Sequence, residues 1–559
     1  MKIRPVLFTL AALTLAIAPE GRAATWNPDP GLGDAGQHRR LYDIGRRWGD
    51  DHFDEGAGLI KRNPKKSGAH LIRESGYYAY SLLLTGDPAD RRRAERIIRL
   101  VLGKQDLRPH QPTYGVFLPC SEDRWETTVN PDLNYCQFVG LALAHILDLD
   151  QRQQVLPDDL RQQLRSAFRL AVKATIQRDV EPGYTNIALL SAAVGAAGEK
   201  LLHVPGAGDF AMSKLAWILA RAQPGVSFTE YLCPTYYGVD LQSAYAVQHF
   251  AASPELKTAA RRILDVLWKE IAAAYHAPTF QLGGPHSRAY GENMLEYAAG
   301  LKYFLFLALD GKYPLADTET DHDWDCGMLP IVADLPVGVR PEFRDAPIAW
   351  REVSVGGRTT GMAFRQFREG DFILGSVSAQ FVWQQQRNVV AYWPVTTPAW
   401  HVGFCQDMSP TTFGNGYAHF YSTQSGAAVL AALTDKRPLP QKGGLRLGFN
   451  GEAHARELSG GPAGSWEVQD GRISAYVYPV TRTNARMTSQ TEEKRVYVER
   501  PWTSADPAGA LNVLAYLLVF QAPGEAAPIV KAISLNVGQG KTTISAAVND
   551  KTLLLEAAR

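Results

Sequence analysis

The stretch Asn186-Ile187-Ala188-Leu189-Leu190-Ser191-Ala192-Ala193-Val194-Gly195-Ala196-Ala197-Gly198 decides the fold. It carries no charge, and as a helix it is small or apolar on nearly every side. Such a helix must be buried on most of its surface. The segment before it, Asp158 to Arg178, reads differently. Leu160, Leu164, Phe168 and Ala171 share one face, while Arg and Gln fill the other. That is an outer helix with one wet side. Pro254 to Tyr275 repeats the outer type: Ser253 caps, Pro254 suits the first helical position, and Leu256, Ala260, Ile263, Leu267 and Ile271 form one stripe. Asn134 to Leu149 repeats the buried type. Wet and buried helices therefore alternate, which predicts helical hairpins in an outer and an inner layer.

The period extends this reading. Asn134, Asn186, Tyr237 and Tyr290 stand at or just before the starts of buried helices, 52, 51 and 53 residues apart. A further buried segment, His70 to Leu84, begins 64 residues before Asn134. Two average helices with their connections fill such a repeat. About five hairpins closing on themselves make an α/α toroid. All inner helices then start at one end, and their first residues converge on a funnel. An open helical solenoid has the same local pattern.

After Leu309 the texture changes. Residues 311–348 read as a linker with an acidic tract, Asp317 to Asp325. From Ala349 short alternating segments take over: Arg351 to Val355, Gly361 to Phe367, Phe372 to Ser378, Gln380 to Gln384, and later Ala427 to Leu433, Arg472 to Val477, Lys494 to Val498, Val513 to Phe520 and Ile533 to Val537. Gly and charged turns separate them. The expected layout is a signal peptide over 1–23, an α/α toroid over 24–310, the linker, and an antiparallel β-sandwich over 349–559. The signal reading rests on Lys2 and Arg4, the apolar run Val6 to Ala18, and Gly21-Arg22-Ala23, which predicts cleavage after Ala23. The run is shorter than the roughly 20 residues that span a bilayer. The expectation is an exported protein, secreted or periplasmic, with no stable membrane insertion.

Composition removes other classes. Lys plus Arg number 58 and Asp plus Glu 57 in 559 residues, a net charge of +1, which argues against a dedicated nucleic-acid binder. The five cysteines include no Cys-x-x-Cys pair. There is no Gly-x-Ser-x-Gly elbow and no His-Glu-x-x-His helix. His401, Cys405 and Asp407 form a weak metal pattern, and Asp321 to Asp325 lacks the spacing of a calcium loop.

Chemistry-bearing residues gather at the expected funnel end. Gly283-Gly284-Pro285-His286-Ser287-Arg288-Ala289-Tyr290-Gly291 presents His286, Arg288 and Tyr290 on one loop. A histidine can act as base, an arginine can hold a carboxylate, and a tyrosine beside a cation can exchange a proton. Asn186 opens a buried helix, where an amide and the helix dipole favour an anion. Glu230, Tyr236 and Tyr237 offer a carboxylate and rings for sugar contacts. Trp125 and Asn134 lie in a polar loop expected at the same end. His401 belongs to the aromatic set of the β half that could cover the funnel mouth. Asn186, His286, Arg288 and Tyr290 are the expected catalytic residues. Asn134, Trp125, Glu230, Tyr236, Tyr237 and His401 are the expected substrate-binding ones.

In this order of parts the chain resembles the toroid-plus-β-sandwich polysaccharide lyases, the group of heparinase II/III-like, alginate and chondroitin lyases. The resemblance covers most of the mature chain. It implies β-elimination on a uronic-acid-containing polysaccharide, with Asn186 and Arg288 neutralising the carboxylate and His286 and Tyr290 as base and acid. The scheme requires no metal or cofactor, and the implied partner is an acidic polysaccharide or oligosaccharide. Two other classes stay open on the residues. A glycoside hydrolase would use two carboxylates among Glu126, Asp132, Glu230, Asp240 and Glu292. A non-catalytic glycan-binding protein would bind without turnover.

Overall fold

The computed structural model describes residues 26–558 except 30–31, 64–67, 224, 292, 296–298, 316–323, 346, 357–360, 384, 395–399, 403–414, 435–441, 451–453, 460–461, 463, 470–471, 481–487, 493–494, 504–512, 523 and 538–540. The expected signal peptide, Asp321, Cys405, Asp407 and Glu292 lie outside the described residues.

Helices run in hairpins through the first half. They are α1 (Ala35–His52), α2 (Ile72–Leu84), α3 (Pro88–Leu102), α4 (Tyr135–Gln153), α5 (Asp158–Arg178), α6 (Thr185–Leu202), α7 (Ala207–Arg221), α8 (Tyr237–Phe250), α9 (Pro254–Ala274), α10 (Leu301–Ala308) and α11 (Leu329–Ala333). The capping chemistry sets several starts. Ser253 Oγ accepts from Leu256 N at 3.1 Å ahead of Pro254, and Asp87 Oδ1 accepts from Ala89 N at 2.7 Å ahead of Pro88. In α6 every residue from Thr185 to Gly198 is buried, whereas α5 buries only one stripe.

The inner helices α2, α4, α6, α8 and α10 touch in sequence, and α3, α5, α7 and α9 pack outside them. The ring closes through α11 and α1, which pack together and against α2 and α10. Closure separates this α/α toroid from an open solenoid. One expected element differs: no helix starts at Tyr290, and the last inner helix is α10. Residues 286–289 instead run along the β half, where His286 N donates to Arg387 O at 2.8 Å and Ala289 N to Gln385 O at 2.7 Å. Met294 N, which a helix from Tyr290 would pair with Tyr290 O, donates to Gln281 Oε1 at 2.8 Å instead.

The second half is an antiparallel β structure. A seven-stranded sheet lies between two others. Its strand Ala428–Thr434 shows why. Val429, Ala431 and Leu433 share a core with Phe364, Leu374 and Val377 of a six-stranded sheet. Leu430 and Ala432, pointing the other way, pack on Ile544 and Leu553 of the C-terminal three-stranded sheet. Strands Asn415–Ser425 and Lys442–Asn450 were not expected from the sequence. Among the described residues, one parallel pairing departs from the antiparallel pattern: Val226–Ser227, from the helical half, adds to Trp350–Val355. Among the described residues, no helix is long and apolar enough to cross a membrane.

Candidate active site

The start of α6, the start of α8 and the Arg288–Tyr290 end of the loop meet around Glu230. It is 6% exposed and accepts from three donors. Asn186 backbone N reaches Glu230 Oε2 at 2.9 Å, Asn186 Nδ2 reaches the same oxygen at 2.7 Å, and Arg288 Nη1 reaches Oε1 at 2.8 Å. A buried carboxylate is tolerable here because it faces a helix N-terminus, an amide and a guanidinium. The carboxylate orients the Asn186 amide nitrogen toward itself. Asn186 Oδ1 is then buried with no hydrogen-bond partner among the described atoms.

Arg288 reaches acceptors on several sides. Besides Glu230 it donates to Gln385 Oε1 at 3.0 Å through Nε and to the Tyr236 hydroxyl at 3.1 Å through Nη2. Its guanidinium lies 4.1 Å from the centroid of Tyr236 and 5.5 Å from that of Tyr184. Burial alone would lower the guanidinium, but Glu230 and Tyr236 hold it above its ordinary value.

The chain of contacts ends at a tyrosine pair. The Tyr236 hydroxyl is hydrogen-bonded to the Tyr290 hydroxyl. Burial raises Tyr236 well above the ordinary phenol value, while Arg288 opposes this and favours the phenolate. Tyr290 is 49% exposed, so the pair opens to solvent on its side. Its backbone N donates to Thr235 Oγ1 at 3.2 Å. Asn134 joins at the edge, donating to the Tyr184 hydroxyl at 3.5 Å. Trp125 lies under Arg108, 5.7 Å from ring centroid to guanidinium, on the loop leading to α4.

Two expected residues are drawn elsewhere. His286 is 1% exposed, with Nδ1 2.8 Å from Leu232 O and Nε2 3.1 Å from the Tyr392 hydroxyl. It joins the two halves rather than facing the tyrosine pair. Tyr237 is fully buried; its hydroxyl accepts from Leu232 N at 2.7 Å and donates to Glu270. His401 lies on strand Trp400–Val402, and its side chain is outside the described residues. The alternative carboxylates also scatter. Glu126 is exposed, with Arg108 3.9 Å away, and Asp132 is exposed and accepts from Asn134 N at 2.9 Å. Asp240 has 0% exposure and no partner for either oxygen among the described atoms; burial, then the charge of Glu230, pushes it well above the usual carboxylate range. Among the described residues, no three His, Cys, Asp or Glu groups gather as a metal site.

The residue that sequence reading misses is Gln385, which reaches Arg288 from the β half across 97 positions. Nothing in Gln384-Gln385-Gln386 marks it. The close docking does leave a trace. A Cβ on Gly375 would stand 1.8 Å from Gly284 O, and one on Gly284 would stand 2.4 Å from Val390 Cβ. Glycine at both positions is what lets the loop lie on the sheet.

Among solved structures, the chain is similar to a heparinase III at 8% identity, covering 96% of this chain and 94% of that one with a TM-score of 0.47. It is also similar to a mutant heparan sulfate lyase HepC from Pedobacter heparinus at 11% identity, covering 87% and 82% with a TM-score of 0.39. A third is endoglucanase CelQ from Clostridium thermocellum in complex with cellotriose, at 10% identity, 84% and 71% coverage and a TM-score of 0.26. At TM-scores below 0.5, none of the three bears on what the site does. No curated protein matches the sequence. A family model described as a domain of unknown function, DUF8769, matches residues 39–335. That span is more than half of the chain, and the protein belongs to this family.

Proposed function

We propose that the protein is an exported polysaccharide lyase that cleaves a uronic-acid-containing polymer by β-elimination at the Tyr236–Tyr290 pair. The observation that carries the reading is the hydrogen-bonded series from Asn186 through Glu230 and Arg288 to Tyr236 and Tyr290, which ends at a tyrosine 49% exposed. Export rests on the Lys2 to Ala23 segment alone.

In this mechanism the uronate lies against Tyr290, with its carboxylate on the side of Arg288. The positive charge of Arg288 there favours the enediolate over the ground-state carboxylate, so it acts on the transition state. A tyrosine of the pair, as phenolate, takes the C5 proton. The C4–O bond breaks, the C4–C5 double bond forms, and the same pair returns a proton to the leaving glycosidic oxygen. No electrons are gained or lost overall. Arg288 lowers the cost of the phenolate, and Glu230 fixes Arg288 in place and sets the Asn186 amide. His286 enters as a residue that holds the loop, because both of its ring nitrogens face protein partners.

The hydrolase reading has weaker support. Glu230 is tied to Arg288 and Asn186, and Asp240 has no exposed surface, so this pair does not flank an open bond. Product chemistry tests the choice. Purified protein with a panel of uronate polymers is expected to yield a conjugated, near-UV-absorbing unsaturated uronate. New reducing ends without that absorbance would overturn the lyase reading.

A further inference from the structure

We infer that the groove between α3 and α5, on the outside of the toroid, is a binding site for an acidic polysaccharide strand, separate from the tyrosine pair. The choice of an acidic glycan rests on the lyase reading; the groove itself rests on charge and shape.

The chain as a whole is nearly neutral at +1, but these two neighbouring helices are not. α3 carries five arginines against Asp90 and Glu95. α5 carries four arginines and Lys173 against Asp158 and Asp159. Much of this charge is paired. Arg93 meets Glu55, Arg161 meets Asp150 and Asp158, and Arg99 meets Asp159 at 2.7 Å. Arg169 and Lys173 have no ion-pair partner among the described residues, and Lys173 is exposed. Both line a cavity of about 600 Å³ with Arg99, Leu107, Tyr114 and Gln163.

The groove is built, not a gap between mobile side chains. Gln105 Nε2 donates to Ala167 O of α5 at 2.9 Å and to Gly115 O at 3.0 Å, tying the loop after α3 to α5. Asp106, beneath the turn, accepts from Arg108 N at 3.0 Å and Arg108 Nε at 2.9 Å. Gly115 has φ +91°, and a Cβ there would stand 2.8 Å from Leu170 O. The loop can approach α5 this closely only with glycine. The same loop continues through Arg108 to Trp125, which joins the groove to the polar loop before α4.

The lining suits a charged sugar chain. Arg169 and Lys173 can bind carboxylate or sulfate, Gln163 can bond hydroxyls, and Tyr114 beside the 65% exposed Leu107 offers an apolar face for a ring. A strand held there would keep a polymer at the enzyme between cleavage events.

The test is retention of the full-length mature protein on immobilised alginate and heparin, with dextran and single-stranded DNA as comparisons, across a salt series. Arg169→Glu with Lys173→Glu is expected to weaken binding to the acidic glycans by about tenfold at low salt and to flatten the salt dependence. Lys257→Glu with Arg261→Glu, the same charge change on α9, should leave retention as in the parent. Matching melting temperatures would show that the variants are folded. Equal loss in both double variants, no loss in the first, no retention of the parent, or tighter retention on DNA than on glycan would each overturn the proposal. If the groove result holds but no polymer gives an unsaturated product, the lyase reading fails and the groove stands.

Discussion

His286 and Tyr290 stand four residues apart on one loop, and their surroundings are opposite. The imidazole is 1% exposed and held between Leu232 of the toroid and Tyr392 of the β half. The phenol is 49% exposed and joined to a second phenol that Arg288 supports. Residue type alone ranks His286 as the better base at neutral pH. Placement reverses the ranking, because a base must reach the proton it removes. In the proposed mechanism one end of the loop builds the site and the other carries the chemistry.

The largest expected effect breaks the comparison at its exposed end. Tyr290→Phe and Tyr236→Phe should each cut turnover by roughly a thousandfold, within the range for loss of an acid–base group, with melting temperatures near the parent's. Steady-state kinetics on the responsive polymer would check this. His286→Ala should do the reverse. It removes the bonds to Leu232 O and the Tyr392 hydroxyl, so stability should fall by about 2 kcal/mol, read as a lower urea midpoint. Turnover should stay well above that of Tyr290→Phe.

Two charge changes sharpen the account. Glu230→Gln removes the negative charge beside Arg288, leaving more of its positive field on Tyr236. The phenolate becomes easier to form, so the rising limb of the pH–rate profile should move to lower pH by about one unit. An unmoved limb would mean that Glu230 acts on packing alone. Asp240 concerns stability. Its folded-state value lies above the usual carboxylate range through burial and the Glu230 charge. That raised value gives stability at low pH which is lost as pH rises past the unfolded-state value of about 4. Asp240→Asn should therefore gain on the parent as pH rises above about 4 in urea unfolding. The smallest effect is Tyr237→Phe, which loses the bonds to Leu232 and Glu270, costing about 1 kcal/mol with no change in the pH profile.

Much of the fold was legible because its signals are local. The all-apolar surface of α6 and the single stripe of α5 read directly as inner and outer helices, and Ser253-Pro254 marks the start of α9 within the sequence. The convergence of Asn186, Glu230, Tyr236, Arg288 and Tyr290 followed from that order. What was not legible depends on distant chain. The expected helix at Tyr290 does not form, with Met294 N drawn to Gln281 instead, and Gln385 enters the site from the other half. Tyr236 and Tyr237 are neighbours with equal credentials. The start of α8 turns one ring to Arg288 and the other into the core.

The most direct test of the central claim is near-UV absorbance of the unsaturated product, followed for the parent, Tyr290→Phe and Tyr237→Phe on the same uronate polymer. The account predicts a steady rise for the parent and Tyr237→Phe and almost none for Tyr290→Phe. A rise in Tyr290→Phe at the parent's rate would contradict it.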